Sequence, residues 1–213
     1  MRLTKMFGLA AVAAVAAMGF VGASSAMAEK PTAICKVHTS LVCPNGQEVA
    51  SFTFKSETII FKTSIATILC LTSRGKAELE GQALENPLRL KLTEWMFLEC
   101  GTSGTHDNCI VTVLKFPLIL VLKTALNLGT VTVNKALPAE LTIKCGSLIN
   151  CTYSEPAEGK SIAVEGALHT EGAGHGMLTA NELEIEKTGG VFCPKTSKLT
   201  ALYETLEHIY LLE

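Results

Sequence analysis

The chain runs to 213 residues with a formal net charge of −2, 48% hydrophobic residues and 18% charged ones. That is long enough to bury a core of ordinary domain size, and too apolar and weakly charged to stay disordered. The slightly acidic balance excludes a protein that neutralises a phosphate backbone with a basic surface, so a nucleic-acid partner is not expected.

At the N-terminus, Arg2 and Lys5 form a positive segment and residues 7–21 an unbroken apolar one rich in alanine. Ala26-Met27-Ala28 then supplies a small-x-small cleavage site. This predicts a signal peptide over 1–28 and a single exported domain over 29–213. The longest later apolar run, residues 116–122 between Lys115 and Lys123, is far shorter than the ~20 residues of a membrane helix. It reads as a buried strand with a proline near its start, so the mature chain carries no membrane span.

Strand patterning dominates the remainder. Residues 88–93 alternate apolar and polar strictly, as do 131–134, 140–144 and 182–186, which is the signature of strands with one buried face. Further strands are expected over 49–54, 58–63, 65–71, 110–115, 162–170, 199–204 and 209–212, where β-branched residues recur between turn formers. Residues 77–85 suggest a short helical turn, weakened by Gly81 and Pro87. No segment sustains a helical period. A dozen short strands point to an all-β fold, an antiparallel β-sandwich or barrel, in one domain. The loop 154–160 is the best candidate for a seam.

Eight cysteines follow the predicted cleavage site: Cys35, Cys43, Cys70, Cys100, Cys109, Cys145, Cys151 and Cys193. An even number in an exported chain implies disulfides. Proximity in sequence suggests Cys35–Cys43, Cys100–Cys109 and Cys145–Cys151, with Cys70–Cys193 left to join an early strand to a late one. Since eight cysteines allow roughly a hundred connectivities, this is one proposal among many. The absence of any C-x-x-C pair and the scattered histidines argue against zinc, and no metal site or cofactor is expected.

Taken in order, these landmarks resemble a family of secreted proteins from soil actinobacteria that has no assigned activity. They comprise the early pair Cys35 and Cys43, the strand end Ile68-Leu69-Cys70, and Glu99-Cys100 followed by Asn108-Cys109-Ile110. Cys145-Gly146 with Cys151-Thr152-Tyr153, Phe192-Cys193-Pro194 and a closing Leu199-Thr200-Ala201-Leu202-Tyr203 strand complete them. Relatives carry a Tyr-Pro-Ala-Gly-like turn after the second cysteine, where this chain has Pro44-Asn45-Gly46. The resemblance implies export and a cysteine-paired β fold, and no function.

Candidate chemistry is sparse. The one aspartate, Asp107, lies in a glycine-rich loop, and no G-x-S-x-G elbow is present, which leaves a Ser-His-Asp hydrolase without parts. Glu94 and Glu99 flank the only tryptophan, Trp95. Two carboxylates beside a sugar-stacking ring would suit a polysaccharide hydrolase, but residues 95–98 read equally as a continuing buried strand. His169, Glu171 and His175 lie around one glycine-rich hairpin tip, more simply a solvated turn than a metal site. His38, His106 and His208 have no evident partner.

The sequence therefore favours a secreted, non-catalytic protein with a structural or binding role at the cell surface or in the medium, its partner a surface glycan or protein, or itself. The loops 101–108 and 172–176 are the natural binding places. Alternatives are a self-assembling fibre or coat subunit, in which residues 29–34 pair with a neighbour's sheet edge, and the polysaccharide hydrolase.

Overall fold

The computed structural model describes residues 31–37, 42–102, 108–125, 128–134, 136–154, 164–166 and 175–212. The predicted signal peptide, Asp107, His38, His106, His169 and Glu171 lie outside them. The described residues form fourteen strands and no helix: β1 (Ala33–Cys35), β2 (Ser51–Ser56), β3 (Ile59–Lys62), β4 (Thr67–Leu79), β5 (Leu88–Thr102), β6 (Cys109–Lys115), β7 (Leu118–Ala125), β8 (Leu128–Val133), β9 (Glu140–Cys145), β10 (Ile149–Ser154), β11 (Val164–Gly166), β12 (His175–Gly189), β13 (Thr196–His208) and β14 (Tyr210–Leu212). Ala77, expected in a helical turn, instead sits near the end of β4 and pairs with Leu92.

Several of these strands follow one another along a single line. β4 pairs with β3 over its first half and with β2 over its second, and β13 pairs with the same two strands from the other side. β6 and β7 share β5 as a neighbour and pair in turn with β9 and β8. Those two receive β10 and β11. The wall thus has eight staves in chain order: β2–β3, β4, β5, β6–β7, β8–β9, β10–β11, β12 and β13. Each is antiparallel to the one before, and β13 closes the circuit on β2 and β3. Between sandwich and barrel, the hydrogen bonding describes an up-and-down barrel, which leaves few free edges. β11 lies beside β12 without laddering to it.

Alternation explains what faces inward. On β13, Ser197, Leu199, Ala201, Tyr203 and Thr205 are buried while their neighbours are not. On β5, Leu88, Leu90 and Leu92 point in. A register irregularity opposite Lys76 and Ala77 then shifts the phase, so that Phe97 is buried and Glu94, Met96 and Leu98 are exposed. Glu99, with φ of 52°, shifts the phase back and returns Cys100 to the interior. Such bulges re-aim a strand's side chains. Charged pairs such as Lys198–Glu182, 2.7 Å, and Arg89–Glu80, 3.0 Å, lie on the outside. The interior is apolar, where that of a membrane pore barrel is polar. Among the described residues no helix is long and apolar enough to cross a membrane.

The two ends differ. At one, the turns 63–66, 146–148 and 190–195 connect successive staves. At the other, β1 pairs with β14 as a separate two-stranded sheet. Ile34 and Leu211 of that sheet belong to the main core, while Ala33, Cys35, Cys43 and Leu212 form a second small cluster. Of the segment 29–34 that the fibre or coat alternative would pair with a neighbouring molecule, Ala33 and Ile34 are paired within their own chain.

Candidate apolar binding site

All eight cysteines are bonded, and the pairing corrects the expectation from sequence proximity. Cys35 joins Cys43 as expected, but the other bridges are Cys70–Cys100, Cys109–Cys145 and Cys151–Cys193. The reason is the barrel register: Cys70 faces Cys100 across β4 and β5, and Cys109 faces Cys145 across β6 and β9. Cα separations of 3.9 and 4.1 Å follow from those facing positions. Three of the bridges thus brace the end of the barrel that carries the 63–66, 146–148 and 190–195 turns. The opposite half of the interior is less completely filled.

There the wall encloses a cavity of about 140 Å3. Its lining is almost entirely hydrocarbon, drawn from most staves of the barrel, among them Leu90 and Trp95 of β5, Val121 of β7, Ala180 of β12 and Tyr203 of β13, with Ile34 from the strand across the end. Ala180 and Gly176 contribute room where neighbouring positions carry larger side chains. Phe54 of β2 also lines it and meets Tyr203 edge-on at 5.4 Å. Gly75 lies behind Phe54. A Cβ there would fall 2.1 Å from the Phe54 Cζ and 2.7 Å from the Glu94 carbonyl oxygen, so glycine leaves the ring its place beside the cavity.

The polar atoms of the aromatic wall satisfy one another. The Trp95 indole Nε1 donates to the Tyr203 hydroxyl and to Ser73 Oγ, each at 3.2 Å, and the two hydroxyls are 3.5 Å apart. Burial pushes the Tyr203 phenol up to about 12, against the opposing pull of its bonds to Ser73 and Trp95. The indole N–H and one of the two hydroxyl hydrogens are thereby taken up within the wall itself. This arrangement suits a hydrocarbon occupant and offers no grip on a charged one.

Near the β1 end, Gly176 N–H donates to Thr205 Oγ1 at 2.7 Å, and Thr205 Oγ1 donates to the Glu207 carbonyl at 2.9 Å. The His175 ring nitrogen Nδ1 lies 2.8 Å from the Thr205 carbonyl. Its imidazole stacks on His208 with centroids 4.5 Å apart. That partnership has no local signature, because the two rings are brought together only by the β12–β13 register. Among the described residues, no three His, Cys, Asp or Glu side chains are grouped so as to hold a metal.

Trp95 therefore serves the interior, and Glu94 and Glu99 stand exposed on the outside. The tryptophan and the carboxylates do not share a groove, which removes the geometric basis of the polysaccharide-hydrolase alternative. Of the expected binding loops, residues 103–107 and 172–174 lie outside the described residues. The cavity itself was not anticipated, since its lining comes from strands far apart in sequence. No known protein family, curated protein or solved structure matches the chain.

Proposed function

We propose that the protein is an exported binding protein for a small apolar molecule, carried inside the barrel. The observation that supports this reading is the cavity of about 140 Å3 with its hydrocarbon lining and internally hydrogen-bonded aromatic wall. An empty apolar cavity of this volume costs on the order of 3 kcal/mol in lost packing. A core of close-packed side chains would avoid that cost, whereas a ligand that fills the space recovers it. Comparable dry cavities of about 150 Å3 take up single aromatic rings, which sets the size class: one ring or a short branched alkyl chain. Met177, both cavity lining and 38% exposed, marks the natural way in beside β12.

Export rests on the predicted leader and on the four disulfides, which persist in oxidising compartments. The resemblance to secreted actinobacterial proteins agrees with it. Native mass spectrometry on protein purified from an exporting host, before and after exposure to toluene vapour, tests the binding reading. A one-to-one adduct that raises the melting temperature supports it. Repeated failure of single-ring and short-chain apolar compounds to form an adduct or raise the melting temperature would reject it.

A further inference from the structure

The disulfide-braced end of the barrel presents its largest apolar side chains to solvent. Ile65 is 62% exposed, Leu148 83%, Val191 87% and Phe192 85%. They come from three different turns, those of β3–β4, β9–β10 and β12–β13. The turns are neighbours: Ile65, Ile149 and Pro194 line one small void together, and the Cys151–Cys193 bridge ties the third turn to β10. A Cβ on Gly190 would meet the Asn150 carbonyl, so the turn is pressed against β10 from both sides of its tip. Val191 and Phe192 are consequently held outward by a rigid base and cannot fold back over the core.

Along the chain, the charges nearest these tips are of one sign, while Glu99 of β5 stands at the same end beside Cys100 and Lys62 acts on Glu182. Within four residues of any of them along the chain stand Lys62, Lys144, Lys187 and Lys195, and no aspartate or glutamate. Along the chain the nearest acid is Glu186, one position beyond that range, so lysines outnumber acids at this end. Apolar tips on a braced base are rare on a protein surface that meets only water. Apolar tips flanked along the chain by lysines match an anionic bilayer, whose acyl region takes the side chains while its headgroups meet the ammonium groups.

We propose that Ile65, Leu148, Val191 and Phe192 form a docking cap that inserts into an anionic lipid surface, oriented by the surrounding lysines. The cap is at the end of the barrel away from β1 and Ile34, so this inference stands independently of the cavity and its occupant. It assigns the protein a lipid surface as partner, bound peripherally and reversibly.

The test is co-sedimentation with vesicles of phosphatidylcholine alone and of phosphatidylcholine with a quarter of phosphatidylglycerol, in low and high salt. Wild type and variants are compared in the same purified, disulfide-bonded form, so that residues outside the barrel contribute equally to each. The expected result is salt-sensitive binding to the anionic vesicles. Val191→Ser/Phe192→Ser reduces it at least about tenfold, and Lys144→Gln/Lys195→Gln by roughly the same factor. These positions are exposed, so an unchanged melting temperature is expected, and circular dichroism confirms the fold of each variant. Absence of binding to anionic vesicles, or binding unaltered in the Val191/Phe192 variant, overturns the proposal. So does a concentration-dependent dimer that the same variant abolishes, for the cap would then be covered by a second copy of the chain.

Discussion

Cys100 and Cys109 face each other across β5 and β6 yet are not bonded to one another. Each is bonded on its other side, so Cys70, Cys100, Cys109 and Cys145 stand in one row across four neighbouring strands. Two bridges in one row lock β4 to β5 and β6 to β9, and the β5–β6 contact between them has hydrogen bonds in place of a bridge: Asn108 Oδ1 accepts from Thr102 N–H at 3.1 Å and Asn108 Nδ2 donates to Thr102 Oγ1 at 3.2 Å. Peptide mapping without reduction should recover the Cys70–Cys100, Cys109–Cys145 and Cys151–Cys193 linkages.

The same row predicts unequal stabilities. Cys70–Cys100 closes a segment with a sequence separation of 30, and Cys35–Cys43 one of 8. Loop-closure entropy then gives roughly 3–4 kcal/mol for the first and about 2–3 kcal/mol for the second. Cys70→Ala/Cys100→Ala should therefore lower stability more than Cys35→Ala/Cys43→Ala, as measured by denaturant unfolding of both variants with the remaining bridges intact.

How much of this was legible in the sequence follows from what kind of information each feature needs. The strict alternation of residues 88–92 and 140–144 carried β5 and β9, and Thr- and Val-rich runs located most other strands, because a two-residue period is local. The direction of Trp95 was not legible. Residues 95–98 are apolar in both phases, and extending the alternation of Leu88, Leu90 and Leu92 would have placed Trp95 outside. The bulge opposite Lys76 and Ala77 decides it, and that depends on a neighbouring strand. The cysteine partners failed for the same reason: nearness along the chain selected Cys100 and Cys109, while register and side-chain geometry assigned each to a different strand. The cavity, assembled from six or more staves, has no local signature at all.

Tyr203 makes stability sensitive to alkali. Its phenol titrates at about 12 in the folded protein against an ordinary 10.0. Below pH 10 both folded and unfolded chains keep the proton, and the contribution is complete. Between pH 10 and 12 the unfolded chain alone releases it, so stability falls, by on the order of 2–3 kcal/mol across that window. Tyr203→Phe should remove this part of the alkaline slope while costing about 1 kcal/mol at neutral pH through the lost bond from Trp95. Urea unfolding at several pH values, with tyrosinate absorbance as a second readout, measures both.

Gly75 is predicted to be intolerant of any side chain. Gly75→Ala drives a methyl group into the Phe54 ring and toward the Glu94 carbonyl, an overpacking worth about 1–3 kcal/mol. Because Phe54 also lines the cavity, the variant should lose apolar-ligand uptake together with stability. Gly75→Ala/Phe54→Leu should regain part of the stability, since the shorter side chain leaves room for the methyl group. Thermal denaturation of the single and double variants decides whether the ring is the obstacle.

The central claim is that the barrel interior receives an apolar molecule, and the protein holds its own reporter, for its single tryptophan lines the cavity. The direct measurement is Trp95 fluorescence during titration with toluene, for wild type and for Ala180→Phe, whose ring would occupy the space. A saturable spectral change in wild type, absent from a folded Ala180→Phe, is the predicted result. A Trp95 signal indifferent to toluene, or one that responds identically in both proteins, would contradict the account.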